Sequence, residues 1–353
     1  MDLDNKIAEI AAKHGITSET PGFAVAVSRD GELLYKGAFG CADLETGRQI
    51  DPDDNFVIAS NTKQMCCTCM LILAERGLID LDEPVRRFFP DFPDYVERIT
   101  IRQMMAHTAG VVDYFGEGPD ATFAPEVLAM RDAGAEEVLE YIKTLGDLEF
   151  EPGTSWAYSN STYVMLGEIV RQVTGMGFGH FLEKEVLRPL GMERSFAPDD
   201  YVSRDPWLVE GYSRVDGGFE HQPYDMLQVG FADGNVSSNV DDMLRWHRWL
   251  FDGEGPELLS KEWKDLLMTD NTLADGRKTG YGLGLFLGED GSACGRGRHL
   301  PDHAEIWHTG GATGFVSNCS RFVEDGMSVV LLTNDEDIPR DPIFMDVCHA
   351  VGL

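Results

Sequence analysis

The sequence predicts a two-lobed mixed α/β (α+β) fold. An antiparallel sheet is built from both ends of the chain and flanked by helices, with an all-helical lobe inserted between them. Three observations carry this expectation. Strand patterns occur near the N-terminus and again from Tyr281 onward. Residues 80 to 200 read almost wholly as helix and loop. The 353 residues suffice for two cooperating lobes around one cleft. The expected division assigns residues 1–58 with 205–353 to the sheet lobe and 59–204 to the helical lobe.

Taken in order, Leu3, Ile7, Ile10 and Ala11 recur at helical spacing, and Gly15 is a stop. Gly22 to Ser28 alternates as a strand, Arg29-Asp30-Gly31 supplies a turn, and Glu32 to Phe39 returns as its partner. A helix-compatible run follows Ser60 and continues to Arg76, before Gly77. Ile101–Ala106, Ala135–Leu145, Thr162–Val173 and Phe178–Leu187 are further helices. Asn239 can cap a helix over Val240–Leu250, and Ser260 another over Lys261–Met268. Four strands are then expected, Tyr281–Leu287, Ala304–Thr309, Gly314–Val323 and Met327–Thr333. A last helix has Pro342 near its start and Ile343, Phe344, Val347, Cys348 and Val351 on or near one face.

Composition excludes several classes of function. Acidic residues number 61 against 29 basic ones, for a formal charge of −32. Without a cationic surface to displace phosphate counterions, nucleic-acid binding is not expected, and anionic membranes are disfavoured for the same reason. The acid is spread along the chain, which suits a soluble, self-repelling surface or a salty habitat. No stretch is apolar and long enough for membrane insertion. Met1–Asn5 is acidic with no apolar segment after it, so no secretory signal is expected. Seven cysteines, with Cys66, Cys67 and Cys69 clustered, make a poor disulfide framework. Reduced thiols and a cytoplasmic location follow, or a periplasmic or secreted one if an export signal was removed. Those three cysteines are not expected to bind zinc, because neighbouring helical positions point apart.

Three short stretches carry chemistry. In Ser60-Asn61-Thr62-Lys63, helical spacing puts Lys63 one turn above Ser60. A serine hydroxyl needs a base to become a nucleophile, and a lysine in a poorly solvated cleft can help as one. Tyr158-Ser159-Asn160 stands at a helix entry. A tyrosine there can do base work if nearby cations lower its pKa, and the Asn160 amide can hold a carbonyl or Lys63. In Trp307-His308-Thr309-Gly310-Gly311, a strand runs into a glycine-rich turn. The amides of Gly311 and Ser60 could form an oxyanion hole, and His308 could supply a proton or a positive charge. Each stretch alone also has a plain structural reading: a capping serine, an aromatic plug and an exposed hairpin histidine.

Together and in this order, Ser60-x-x-Lys63, Tyr158-x-Asn160 and His308-Thr309-Gly310 resemble the signature motifs of the serine β-lactamase and penicillin-binding-protein superfamily. The branch they are similar to holds class C β-lactamases, D,D-carboxypeptidases, D-aminopeptidases and β-lactamase-fold esterases. Met104–Gly110, Pro152-Gly153-Thr154, Arg188–Met192 and Tyr281–Gly284 also look familiar. The resemblance implies a β-lactamase-like two-lobed fold with the active site between the lobes. It implies an acyl-enzyme on Ser60, with Lys63, Tyr158 and His308 as catalytic groups. Asn160, Thr309 and Gly310 would bind substrate, and the Ser60 and Gly311 amides would form the oxyanion hole. No cofactor and no metal are implied. His299, His303 and Glu305 lie in a polar loop and are not expected to hold zinc.

Lys278-Thr279-Gly280 matches the family's usual third motif but lacks a following glycine turn, so His308 is preferred on context. A histidine is only partly charged near neutral pH, whereas a lysine there suits substrates bearing a carboxylate. The expected substrates are therefore small esters, amides or short peptides. A D,D-carboxypeptidase or β-lactamase acting on penicillins is the alternative, and a non-catalytic scaffold a third reading. A Gly-x-Ser-x-Gly elbow is absent, which disfavours an α/β-hydrolase. Loops 113–126 and 289–302 are expected to shape the cleft mouth.

Overall fold

The computed structural model describes residues 2–115, 134–199, 205–223, 231–288 and 291–353. Most of the expected loop 113–126, and residues 289–290 of the second loop, lie outside the described residues.

Chain ends and sheet come together as the pattern predicts. Helix α1 (Leu3–Lys13) leads into β1 (Phe23–Arg29) and β2 (Glu32–Phe39). Asp30 and Gly31 both have left-handed φ, 49° and 79°, the geometry a two-residue hairpin needs. Short pairs follow: β3 (Cys41–Asp43) with β4 (Arg48–Gln49), and β5 (Phe56–Val57) with the later β8 (Ser237–Ser238). Between them β6 (Gly211–Val215) and β7 (Gly218–Gln222) make a hairpin that the sequence reading did not foresee. The C-terminal strands are β9 (Glu305–Ala312), β10 (Phe315–Phe322) and β11 (Met327–Thr333). They complete a five-stranded antiparallel sheet in the order β2-β1-β11-β10-β9. The N-terminal β1 thus pairs with the C-terminal β11, from Phe23 opposite Thr333 to Arg29 opposite Met327.

Both faces of that sheet are covered, so β1 reads as a nearly continuous apolar run. Phe23, Val25 and Val27 face a cluster with Ile7 and Ile10 of α1 and with Ile343, Phe344 and Val347 of the final helix (Arg340–Val351). Ala24 and Ala26 point the other way, into the main core.

The helical part begins with α2 (Thr62–Glu75), in which every residue from Thr62 to Ala74 is buried. A helix surrounded by apolar partners on all sides lies in the middle of a core. Around it stand α3 (Ile101–Met105), α4 (Ala135–Ile142), α5 (Asn160–Thr174) and α6 (Phe178–Leu182). α6 widens into a π turn over Glu183–Leu187, so the expected single helix changes its winding partway. Among the described residues between 59 and 199 no strand occurs. One apolar core runs from Ala24 and Leu332 of the sheet through Met65 and Leu71 of α2 to Ile169 and Phe181. Cys66, Cys67 and Cys69 are fully buried in it, and all seven cysteines are free. Burial pushes the Cys67 thiol up to about 12.

Helix α7 (Val240–His247) is capped by the Asn239 side chain on the Asp242 amide at 2.9 Å, as expected. Ser260 sits at the start of α8 (Lys261–Asp265) without making a capping bond. The chain ends with the Arg340–Val351 helix, here α9. Tyr281–Leu287, expected as a strand, is instead a tight turn bridged from Tyr281 to Phe286. Glycine explains the difference. Gly284 has a φ of 79°, and a Cβ there would lie 2.7 Å from Gln64 backbone atoms, so the run folds back against the start of α2. Among the described residues no helix is long and apolar enough to cross a membrane.

Candidate active site

Ser60 lies in a 3₁₀ turn, Ala59–Asn61, that leads directly into α2. Ala59 has a left-handed φ of 47°, an unfavourable conformation for a residue with a Cβ. A buried network holds it there. The Ser317 hydroxyl of β10 donates to the Ile58 carbonyl at 2.9 Å and accepts from Asn61 Nδ2 at 2.9 Å. Gln64 Nε2 donates to Asn61 Oδ1 at 3.3 Å, and Trp246 Nε1 of α7 donates to Gln64 Oε1 at 2.6 Å. Strained backbone persists only where its surroundings over-determine it.

Lys63 is fully buried. Its Nζ donates to Ser60 Oγ at 3.0 Å, Asn160 Oδ1 at 2.8 Å and the Asp233 carbonyl at 2.7 Å. Three acceptors match the three protons of an ammonium. Tyr158 is half-buried just before α5, with its ring centroid 4.9 Å from Lys63 Nζ. Its hydroxyl lies beside Ser60 and Lys63, both of which favour its ionised form. The expectation that a nearby cation would lower the Tyr158 pKa is corrected here. Burial raises it by more than Lys63 and Ser60 lower it, so the resting group is a phenol.

His107, not singled out from the sequence beyond its place in a familiar stretch, supports this corner. Its φ is 57°, its Nδ1 accepts the Ser159 amide at 3.1 Å, and its ring centroid lies 4.3 Å from that of Tyr158. Burial, then the charge of Lys63, drives its pKa well below the ordinary value, so it is neutral. Asp113 was likewise missed, although it is part of loop 113–126. Its carboxylate accepts from the backbone and side chain of Asn160, each at 3.0 Å. No sequence signal links these two positions, 47 residues apart.

On the strand side, His308 is buried in β9. Its Nδ1 faces the Thr309 carbonyl at 2.6 Å and therefore carries the hydrogen. Its Nε2, 3.2 Å from the Tyr281 hydroxyl, then accepts. Burial above all, with Lys63 adding, brings its pKa down to about 3. The partly charged histidine expected from the sequence is thus a neutral imidazole at pH 7. Thr309 is half-buried, Gly310 is buried and Gly311 is exposed. β9 packs against the Ala59–Asn61 turn. A Cβ on Gly310 would lie 2.2 Å from the Ile58 carbonyl oxygen, so this glycine permits close approach to the turn. Gly311 has open space where a Cβ would be. Phe286 and Trp307, with ring centroids 4.6 Å apart, join Tyr281 in an aromatic cluster against which Trp156 and Tyr158 pack.

Lys278 is exposed, with Nζ on the Asp270 carbonyl at 3.3 Å. His299 pairs with Glu305 at 2.8 Å and His303 with Asp325 at 2.7 Å, so His299, His303 and Glu305 are divided between two separate pairs. Among the described residues no group of three or more potential metal ligands is found.

Comparison with known proteins gives this geometry a context. The family model described as Beta-lactamase matches residues 3–346. Penicillin-binding protein 4* of Bacillus subtilis is 26% identical over 326 residues, covering 89% of this chain and 68% of that protein. A D-aminopeptidase of Brucella anthropi is 27% identical over 342 residues, covering 94% and 60%. Esterase EstB of Burkholderia gladioli is 29% identical over 347 residues, covering 89% and 86%. The chain thus spans about three fifths of the D-aminopeptidase and most of the esterase. The solved structure of the octameric penicillin-binding protein homologue from Pyrococcus abyssi superposes with a TM-score of 0.79 at 23% identity, over 99% of this chain and 77% of that one. At that identity the likeness concerns the fold.

Proposed function

The chain belongs to the Beta-lactamase family, and we propose on that footing that Ser60 is its acylated nucleophile, with Lys63 and Tyr158 sharing the proton transfer. The protein is a serine hydrolase acting on esters or amides. The observation that carries the assignment is the convergence of two side chains on one oxygen. Ser60 Oγ lies 3.0 Å from Lys63 Nζ, and Tyr158 stands beside both, its ring centroid 4.9 Å from Nζ and its hydroxyl close enough for Ser60 to favour its ionised form.

In this reading the reactive site carries Lys63 as a neutral amine, one proton having left to solvent. Ser60 Oγ forms a bond to the substrate carbonyl carbon while its proton passes to Lys63, either directly or through the Tyr158 hydroxyl, which hands its own proton on to Lys63. The oxyanion is held by the amides of Ser60 and Gly311. Collapse breaks the bond to the leaving alcohol or amine, which takes up the proton. Water then attacks the Ser60 ester, its proton following the same route, and the acid departs. Asn160 keeps Lys63 in place, Thr309 lines the strand side, and Gly310 lets β9 approach the turn. His308 acts as a neutral hydrogen-bonding group beside Tyr281. The two-lobed division belongs to the same reading. Ser60, Lys63, Tyr158 and Asn160 come from residues 59–204, and His308 to Gly311 from the sheet part.

A neutral His308 favours substrates that need no carboxylate anchor: small esters, amides and short peptides. Penicillins and D-Ala-D-Ala stems carry such a carboxylate, so the D,D-carboxypeptidase or β-lactamase reading is the weaker one. A non-catalytic scaffold has no use for the Ser60–Lys63–Tyr158 contacts. Seven free cysteines support a reducing compartment such as the cytoplasm.

The test is intact-protein mass and turnover after exposure to a short-chain activated ester, a D-amino acid amide and a penicillin, with Ser60→Ala as control. Ser60-dependent turnover of ester or amide is expected. Rapid penicillin turnover with neither of the others would replace this reading with a β-lactamase.

A further inference from the structure

Asn160 can serve Lys63 in only one of its two amide orientations. Its Oδ1 receives Nζ at 2.8 Å, whereas turned over it would present an N–H₂ to an ammonium. The two ends of an amide are nearly equal in size, so shape alone does not choose between them. Asp113 makes the choice. Its Oδ2 accepts from Asn160 Nδ2 at 3.0 Å, and its Oδ1 accepts the backbone N–H of Asn160 at 3.0 Å and of Phe115 at 3.3 Å. An ionised carboxylate can only accept, so Nδ2 must face Asp113 and Oδ1 must face Lys63.

We propose that Asp113 is a positioning residue for acylation: its ionised carboxylate locks the Asn160 amide, and the amide holds Lys63 Nζ on Ser60 Oγ. The inference rests on the reading of Ser60 as nucleophile and adds a residue and a pH dependence to it. With both oxygens already accepting, the carboxylate is engaged by the protein, which fits positioning better than substrate contact.

Among the described residues, the charged and titratable groups around Asp113 include Lys63, Asp233, Tyr114 and Tyr158. The Asp233 carboxylate accepts the Tyr114 hydroxyl at 2.9 Å and the Phe231 amide at 2.7 Å. Burial first, then Asp233, pushes Asp113 up to about 6, against Lys63 and the two backbone N–H groups. Below that pH the carboxyl gains a hydroxyl hydrogen that points at Asn160. The amide then turns its oxygen toward Asp113 and its N–H₂ toward Lys63. Acylation is therefore complete in its machinery above pH 6 and is lost as pH falls through 6. The two site histidines do not titrate in this window, since His308 lies at about 3 and His107 well below its ordinary value.

A purely structural role is the rival, because Asp113 also accepts the first amide of α5. Asp113→Asn separates the two. It keeps an acceptor for that amide but offers an N–H₂ to the Asn160 side chain, imitating the protonated acid at every pH. The experiment measures the acylation rate with p-nitrophenyl acetate, a neutral probe, from pH 5 to 8, on wild type, Asp113→Asn, Asp113→Ala and Ser60→Ala. Melting temperatures are recorded alongside. Wild type is expected to show an acid limb with a midpoint near 6. Asp113→Asn should acylate about 10- to 100-fold more slowly at pH 8, the scale of misplacing a catalytic group by an ångström or less, and should lack the limb. Its melting temperature should hold. An Asp113→Asn variant with the wild-type rate, or with the same acid limb, overturns the inference alone. Acetylation of wild type that Ser60→Ala does not abolish overturns the Ser60 reading, and the inference with it.

Discussion

Replacing Gly310 by alanine adds one methyl group where β9 meets the nucleophile turn. The new Cβ would lie 2.2 Å from the Ile58 carbonyl oxygen, 2.4 Å from Ser317 Oγ and 3.0 Å from Ala59 Cβ. An ordinary contact begins at 3.4 Å, so β9 and the turn must separate by about 1 Å. Backbone conformation is not the obstacle, because Gly310 is not left-handed. The separation acts on Ala59, already strained, and on the Ser317 hydroxyl bond that secures Ile58. Overpacking costs about 1–3 kcal/mol, and losing that hydrogen bond about 1 kcal/mol more. A shift of about 1 Å at Ser60 costs roughly 100-fold in rate. Gly311→Ala is the matched control, since its Cβ enters open space and the backbone amide is retained. Ester kcat/KM and urea denaturation together decide the matter. Gly310→Ala should lose about 100-fold or more in kcat/KM and about 2–4 kcal/mol in stability. Gly311→Ala should stay within about 0.5 kcal/mol of wild type. Gly310→Ala with wild-type kcat/KM would refute the argument that β9 sets the position of Ser60.

Lys63→Ala and Tyr158→Phe should each slow acylation at least about 100-fold in stopped-flow measurements with an activated ester; a near-normal rate would remove that residue from the proton transfer. His247 is buried with its Nδ1 unpartnered, and burial, with Arg321 adding, holds its pKa at about 3. Its folded value lies below the unfolded one, so stability is full above about pH 6.5 and is lost as pH falls, by about 2 kcal/mol at pH 5. Denaturation of His247→Leu at pH 8 and pH 5 should show that much less loss. Trp246→Phe leaves Gln64 Oε1 without its donor and should cost about 1–3 kcal/mol by urea denaturation, with reduced activity from a looser Asn61.

Chain order and local pattern were legible where short-range physics decides them. The Asp30-Gly31 hairpin follows from residues that tolerate left-handed φ, and the Asn239 cap from a side chain that reaches its own helix. Ser60 and Lys63 are three residues apart on one helical turn, so their contact could be foreseen. Failure came where a run obeyed its surroundings. Tyr281–Leu287 has strand composition, yet Gly284 folds it against Gln64. The β6–β7 hairpin was announced only by Asp216-Gly217, a weak signal between unremarkable flanks.

The amino-acid sequence therefore determined the reaction class that three motifs spell out, the strands at either end and the helices between. Protonation states were decided by the tertiary structure, because they depend on desolvation and on charges brought in from distant positions. A histidine that titrates near neutrality in water becomes neutral once β9 is buried beside Lys63, and a tyrosine beside a cation remains a phenol. Asp113 acquired its place in the same way. Its grip on Asn160 spans 47 residues and arises only when the loop after α3 meets the start of α5.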